Sequence, residues 1–474
     1  MNNLTFHNIL DYGAVADGKT LCTDAFKKAF NACEEKGGGT VFVPAGEYLT
    51  GAIIFKSNIT LHIDNGAVVK FSQDPKDYPI VTERWEGVEV KCHCGLLYAD
   101  GVENIAVVGQ GTLDGQGQPW WKKHKDGTLD YPRPRFINFC SSKRILLDGV
   151  KLIDSPSWTI NPILSENITI NNLFILNPAD SPNTDGIDPE SCKNVRISNC
   201  HVDVGDDCIA VKAGTEFCLK RVPCENISIT NCTMVHGHGG VVLGSEMSGS
   251  IRNVTISNCV FEGTDRGIRL KSRRGRGGVV EDVRVTNIVM KEVVCPFTMN
   301  LYYHCGPGGK EKIVWDKSPY PISEITPSFR RIHFSNITAR EVSAAAGFLY
   351  GLAEMHVQDI SFDNISVHIA ENAIPGEPDM LTNMDLVAKK GFILNNFADI
   401  RFTNVSVNGQ EGPAFLVEDG ENIDFQGCTA GNDAGAVITL TNVKTARIDC
   451  FSKDKTAILE SKNENIFVNG EKLA

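Results

Sequence analysis

A short unit recurs along this chain, and it limits the fold more than any other feature. NITLHIDNG begins at Asn58, NIAVVGQGT at Asn104, RILLDGVKL at Arg144 and NITINNLFI at Asn167. NVRISNCHV, NISITNCTM, NVTISNCVF and DVRVTNIVM follow at Asn194, Asn226, Asn253 and Asp282, with later copies at Arg331, Asp359, Asp399 and Asn422. The starts at 144, 167, 194, 226, 253 and 282 are spaced by 23, 27, 32, 27 and 29 residues. Within each unit the apolar residues alternate, the pattern of a strand with one buried face. Short strands at a period in the twenties, without interleaved helices, predict an all-β parallel β-solenoid with rungs about 4.8 Å apart. A polar residue, usually Asn, recurs at the sixth position, where stacked side chains can bond along a ladder.

Such a fold adds coils without needing a new core, so the 474 residues are read as one domain, 1–474. Residues 20–36 carry the one helical pattern: Leu21, Ala25, Phe26, Ala29, Phe30 and Cys33 share a face and Gly37–Gly39 stop it, which suits a cap on the N-terminal end. Three stretches interrupt the repeat, at about 78–95, 115–135 and 301–330, and are expected as loops on the functional face. The net charge of −12 argues against a nucleic-acid partner, and no apolar run is long enough for a membrane span. The first residues resemble no secretory leader, so a cytoplasmic location is expected, or a secreted one if a leader has been cleaved. The 16 cysteines are then expected reduced and buried. Cys92-His93-Cys94 has no second pair at zinc spacing, and no metal or cofactor is expected.

The chemistry gathers between Asn183 and Gly214, in NTDGID and GDDCIAVK. Ile209, Val241 and Ile268 each lie 15 residues past a unit start, and Ile187 takes the same slot one coil earlier. In that register Asp185 is level with Asp207, and Asp206 is one step out. His238 falls on the following rung, and Arg269 with Lys271 on the next, Lys271 level with Lys212. Clustered carboxylates repel, so one should keep its proton near neutral pH. Paired carboxylates beside cations suit hydrolysis of a glycosidic bond next to an anionic group. Arg273, Arg274 and Arg276 extend the positive run and on their own read as a solvated loop.

NTDGID, GDDCIAVK, GHGG and RGIRLK, in this order and with DYGAVADGKT near the start, resemble the signature motifs of the family 28 glycoside hydrolases, the polygalacturonase family. The resemblance implies a right-handed parallel β-helix and hydrolysis of α-1,4-linked galacturonic acid with inversion and without a metal. It makes Asp206 the general acid, Asp185 and Asp207 the residues that activate water, and His238 the support of the acid. Arg269 and Lys271 bind the uronate carboxylate, and a tyrosine completes the site, Tyr303 or alternatively Tyr302. Lys212 is a further cation for substrate. Cys208 and Cys224 resemble a pair that is bridged in some secreted members. RWEGVE, SPNTDGIDPESC and GSEMSG are similar to bacterial exo-acting members, and with them Glu190 and Glu246 would line the groove or shape a subsite.

The expected partner is therefore a pectic oligosaccharide, attacked from its non-reducing end. Rhamnogalacturonan or xylogalacturonan hydrolysis is the alternative within the family. A calcium-dependent pectate-type lyase and a non-catalytic carbohydrate-binding solenoid are the alternatives outside this reaction. The oligomeric state is left open.

Overall fold

The computed structural model describes residues 6–431, 437–449 and 457–473. Contacts within the chain group it into two units, Met1–Gly237 and His238–Ala474. Each unit is a stack of parallel β-coils.

In the first unit the repeat strands Ile59–Ile63, Glu103–Gly109, Lys143–Asp148, Glu166–Asn171, Lys193–Ser198 and Cys224–Thr230 stack in sequence order. Ile145, Ile168, Val195 and Ile227 form one row and Leu147, Ile170, Ile197 and Ile229 another, all buried. The period-two pattern sets this register, because a slip by one residue would turn both rows to solvent. A second row of strands, Lys151–Ile153, Phe174–Leu176, His201–Val204 and Thr233–His236, lies past a tight corner.

That corner explains the recurrent asparagine. Asn172, Asn199 and Asn231 have φ of 54°, 59° and 54°, the left-handed region that Asn enters at lower cost than most residues. Asn199 Nδ2 donates to Asn171 Oδ1 at 2.8 Å. A second ladder, which the alternation does not reveal, runs through the first residue of the unit. Asn58, Asn104, Asn167, Asn194 and Asn226 are also left-handed, and Asn104 donates to Asn58 at 2.8 Å, Asn194 to Asn167 at 3.1 Å and Asn226 to Asn194 at 3.0 Å.

A third row carries the chemistry. Ile53–Ile54, Leu97–Asp100 and Ile137–Cys140 pair in parallel, and the row continues as single bridges, Ile137–Ile160–Ile187–Ile209 and Cys140–Ile163–Glu190–Lys212. Ile187 is thus level with Ile209, as the repeat register requires.

In the second unit the strands are longer, among them Ile251–Glu262, Val279–Lys291, Ser328–Val342, Val357–Ile369 and Lys390–Asn408. Equivalent core positions hold phenylalanine, and the rings of Phe334, Phe362, Phe402 and Phe425 stack nearly parallel at 4.8, 4.9 and 5.3 Å. The stack is the aromatic counterpart of the aliphatic rows of the first unit.

The amphipathic segment forms helix α1, Thr23–Glu35, whose buried face is Ala25, Phe26, Ala29, Phe30 and Cys33. Leu21 lies outside it, at the end of the strand Asp17–Leu21, and is exposed. Gly37 and Gly38 end the helix at φ of 81° and 139°. The interruptions hold more regular structure than loops. Ile80–Trp85 and Val88–His93 form an antiparallel hairpin. Two further helices, α2 at Gln118–Lys125 and α3 at Lys312–Trp315, correct the expectation of a single helix; each is too short to show a helical period in sequence. No helix among the described residues is long and apolar enough to cross a membrane.

Candidate active site

In the first unit, folding brings together the three aspartates that the sequence picked out. Carboxylate oxygens of Asp185, Asp206 and Asp207 lie within 4.8 Å of one another. Asp185 and Asp207 are buried and Asp206 is half-buried. The fold supports the two ends of the cluster differently. The backbone N–H of Asp207 donates to Asp206 Oδ1 at 2.9 Å, fixing the GDD turn. The turn before Asp185 is held by Arg133, which is 1% exposed and donates to Pro182 O at 2.7 Å, Pro156 O at 3.0 Å and Asn183 Oδ1 at 2.8 Å. Burial lowers the Arg133 guanidinium to about 10, against the raising effect of Glu86, Asp185 and Asp206.

Burial, then the charges of Asp188 and Asp206, push the Asp185 carboxyl well above the ordinary carboxylate range, and Lys212 opposes the rise. Asp185 Oδ1 is buried and accepts no hydrogen bond from the described residues, which suits it to a water or a sugar hydroxyl.

Lys212 is not a free cation for substrate. It is 4% exposed, with Nζ 3.6 Å from Asp185 Oδ2, 3.9 Å from Asp188 Oδ2 and 4.7 Å from the centroid of Trp158. Glu190 lines no groove either: it is 0% exposed and pairs with Arg84 of the hairpin at 3.3 Å. The aromatics of the insertions divide. Trp120 and Trp121 are buried packing residues, Trp120 edge-on to Tyr78 and His93 and Trp121 bonded to Ser155 O at 2.9 Å. Trp85 is half-buried and stacks on Trp158 at 5.6 Å, with the Arg135 guanidinium 4.9 Å from its ring centroid.

In the second unit, the strand Arg266–Lys271 presents Arg269 and Lys271 to one tyrosine. The Arg269 guanidinium lies 5.5 Å and Lys271 Nζ 5.2 Å from the centroid of the Tyr303 ring. Tyr302 points elsewhere: it is fully buried, 5.4 Å from the Arg274 guanidinium, so Tyr303 is the tyrosine that stands with the cations. Sequence reasoning missed the partner of Arg269. Asp379, also fully buried, accepts from Nη2 at 2.7 Å and Nε at 3.1 Å. Burial alone would raise the Asp379 carboxyl, but the charges of Arg269 and Arg266 outweigh it and hold it below the ordinary value. His238 is exposed and Glu246 half-buried.

Arg273, Arg274 and Arg276 are buried rather than solvated. Arg274 bonds Glu354 at 2.6 and 2.8 Å and the carbonyl of Ile313 at 3.0 Å, so the run anchors an insertion. Cys208 and Cys224 are free thiols. Cys208 Sγ donates to His236 O at 3.6 Å and Cys224 Sγ to Pro189 O at 3.5 Å, and burial pushes both thiols up.

The model of the glycosyl hydrolases family 28 matches residues 33–375. The chain belongs to glycoside hydrolase family 28. Among its relatives, a probable polygalacturonase of Vitis vinifera is 34% identical over 77% of this chain and 75% of its own length. An endo-polygalacturonase of Pectobacterium carotovorum subsp. carotovorum is 32% identical over 66% and 78%. The crystal structure of a hyperthermoactive exopolygalacturonase from Thermotoga maritima superposes with a TM-score of 0.71 at 33% identity, over 85% of this chain and 92% of that one. The fold of this family 28 glycosidase is a right-handed parallel β-helix, like that of these polygalacturonases.

Proposed function

We propose that this family 28 glycosidase hydrolyses α-1,4-linked galacturonic acid in pectic oligomers, releasing single galacturonate units from the non-reducing end. The observation that carries the reading is the convergence of Asp185, Asp206 and Asp207 within 4.8 Å in a chain of this family.

The roles follow the environments together with the family motifs. Asp206, the half-buried member, is the general acid that protonates the departing glycosidic oxygen. Asp185 and Asp207, both buried, hold and deprotonate the attacking water. His238 supports the acid. Lys271, and Arg269 through donors other than the two that Asp379 takes, bind the uronate carboxylate through charge-assisted bonds, with Tyr303 as their shared platform. The expected outcome is inversion, which rests on the family motifs. The carboxylate separations are shorter than the roughly 6.5–9.5 Å common in inverting sites, and two carboxylates that share one water are a way to reconcile them.

Exo action is supported by the likeness to the Thermotoga maritima exopolygalacturonase and by the half-buried Trp85 on the 80–93 hairpin, whose ring offers a sugar-stacking surface. A net charge of −12 also disfavours capture of a long polyanion. A time course on polygalacturonate tests this reading. Monomer as first product with slow loss of viscosity is expected; early mid-length oligomers with rapid loss of viscosity would mean endo cleavage.

A further inference from the structure

We propose that Lys212, set between Asp185 and Asp188 over the ring of Trp158, is a positioning residue that holds the Asp185 carboxylate for its work on water and makes no contact with substrate. The inference rests on the reading above, in which Asp185 acts in hydrolysis.

Three observations carry it. Lys212 is 4% exposed, and three groups already surround its ammonium, at 3.6 Å (Asp185 Oδ2), 3.9 Å (Asp188 Oδ2) and 4.7 Å (the Trp158 ring centroid). An ammonium has three donors, so a substrate carboxylate would have to compete for a charge already shared between two buried anions. Second, Asp188 is 0% exposed. A carboxylate so deep needs a cation to stay ionised, and Lys212 is the lysine that faces it at ion-pair distance. Third, the backbone fixes where the lysine starts. Lys212 bridges to Glu190 one coil below, and Glu190 is itself tied to Arg84, so the lysine stem leaves from a rung pinned by the hairpin. Trp158, also buried, is flanked by Trp85 at 5.6 Å and the Arg135 guanidinium at 5.5 Å and has little freedom to move aside. Without Lys212, the charge that opposes the rise of the Asp185 carboxyl would be lost among the carboxylates of Asp188, Asp206 and Asp207, and Asp185 would hold a proton more firmly or swing away.

The test is steady-state kinetics of Lys212→Met, Lys212→Arg and Asp188→Asn on trigalacturonate, with calorimetric binding of galacturonate to each. Lys212→Met is expected to lose about 100-fold or more in kcat, the scale of a misplaced general base, with KM and galacturonate affinity within about twofold of wild type. Lys212→Arg, which keeps the charge, is expected to recover part of kcat, and Asp188→Asn to lower kcat at unchanged KM. A Lys212→Met enzyme with kcat near wild type, or one whose KM rises and galacturonate affinity falls tenfold at constant kcat, overturns the proposal in favour of substrate contact or no role. If Lys212→Met does not fold by circular dichroism, Asp188→Asn decides: a lowered kcat at unchanged KM supports the proposal, and a kcat near wild type overturns it. A wild-type enzyme inactive on trigalacturonate overturns the functional reading and this inference with it; an active wild type beside an unaffected Lys212→Met overturns only the inference.

Discussion

Replacing Asp379 by asparagine should destabilise the second unit strongly. The pair is fully enclosed, with Arg269 and Asp379 both buried and two bonds between them, at 2.7 and 3.1 Å. Asparagine keeps the volume but removes the negative charge, and the Arg269 guanidinium then sits in a dry site without this counter-ion. Removing one partner of a buried pair costs about 3–5 kcal/mol. For a cooperative unit of this size, roughly 2–4 °C of Tm go with each kcal/mol, so the expected drop is about 6–20 °C. Differential scanning calorimetry of wild type, Asp379→Asn, Arg269→Met and the double variant reads it. The double variant should be less destabilised than the sum of the singles, because it removes both charges of the pair together. The pH dependence has a definite sign. The Asp379 carboxyl is held below its ordinary value, so the stability it contributes is present above the unfolded aspartate pKa of about 4 and is lost as pH falls through the lower, folded value. The gap between wild type and Asp379→Asn should therefore narrow in acid. A Tm for Asp379→Asn within about 2 °C of wild type at neutral pH would refute the reasoning, and so would strict additivity in the double variant.

Three further outcomes are expected. Asp206→Asn should abolish turnover while leaving the melting curve unchanged, since it removes the proton donor from a half-buried position; measurable hydrolysis would take the acid role away from Asp206. Lys271→Ala should weaken a free uronate substrate by about 1.5–3 kcal/mol, roughly 10- to 100-fold in kcat/KM, and a methyl-esterified one far less; equal losses would mean that Lys271 does not read the carboxylate. Proton NMR of the first product should show the β anomer from the α-linked substrate, and an α product would disprove inversion.

The fold was legible because one pattern is written a dozen times along the chain. Alternation identifies the strands, and the spacing of their starts identifies the coils. The same register, carried to Ile187 and Ile209, is enough to set Asp185 level with Asp207. Sequence reasoning fails where partners come from outside the repeat. Asp379 lies 110 residues from Arg269 in sequence, in a segment without periodicity, and nothing local marks it as a counter-ion. Asp188 and Lys212 are visible as residues of the motifs, but burial decides their role, and burial is a property of neighbouring coils. A lysine beside acidic motifs reads equally well as a substrate contact until its distances to Asp185 and Asp188 are known. Trp120 and Trp121 show the same limit. Aromatics in an insertion suit sugar stacking and packing equally, and only their enclosure against Tyr78, His93 and Ser155 separates the two.

Three buried arginines, Arg84, Arg133 and Arg274, share one role in this β-helix. Each one ties an insertion to the coils of its own unit. Arg84 ties the hairpin through Glu190 and Ser191, Arg133 the 115–135 segment through Pro156 and Pro182, and Arg274 the segment around α3 through Glu354 and the carbonyl of Ile313. Coil corners leave carbonyls that no ladder uses, and a guanidinium with five donors satisfies several at once. Apolar packing alone would let an insertion slide, whereas a fork bonded to two or three fixed acceptors allows one seat. Shortening one of these insertions would then leave carbonyls and carboxylates of the coil without their donors. Its cost should come from those unpaired buried groups rather than from lost hydrophobic area.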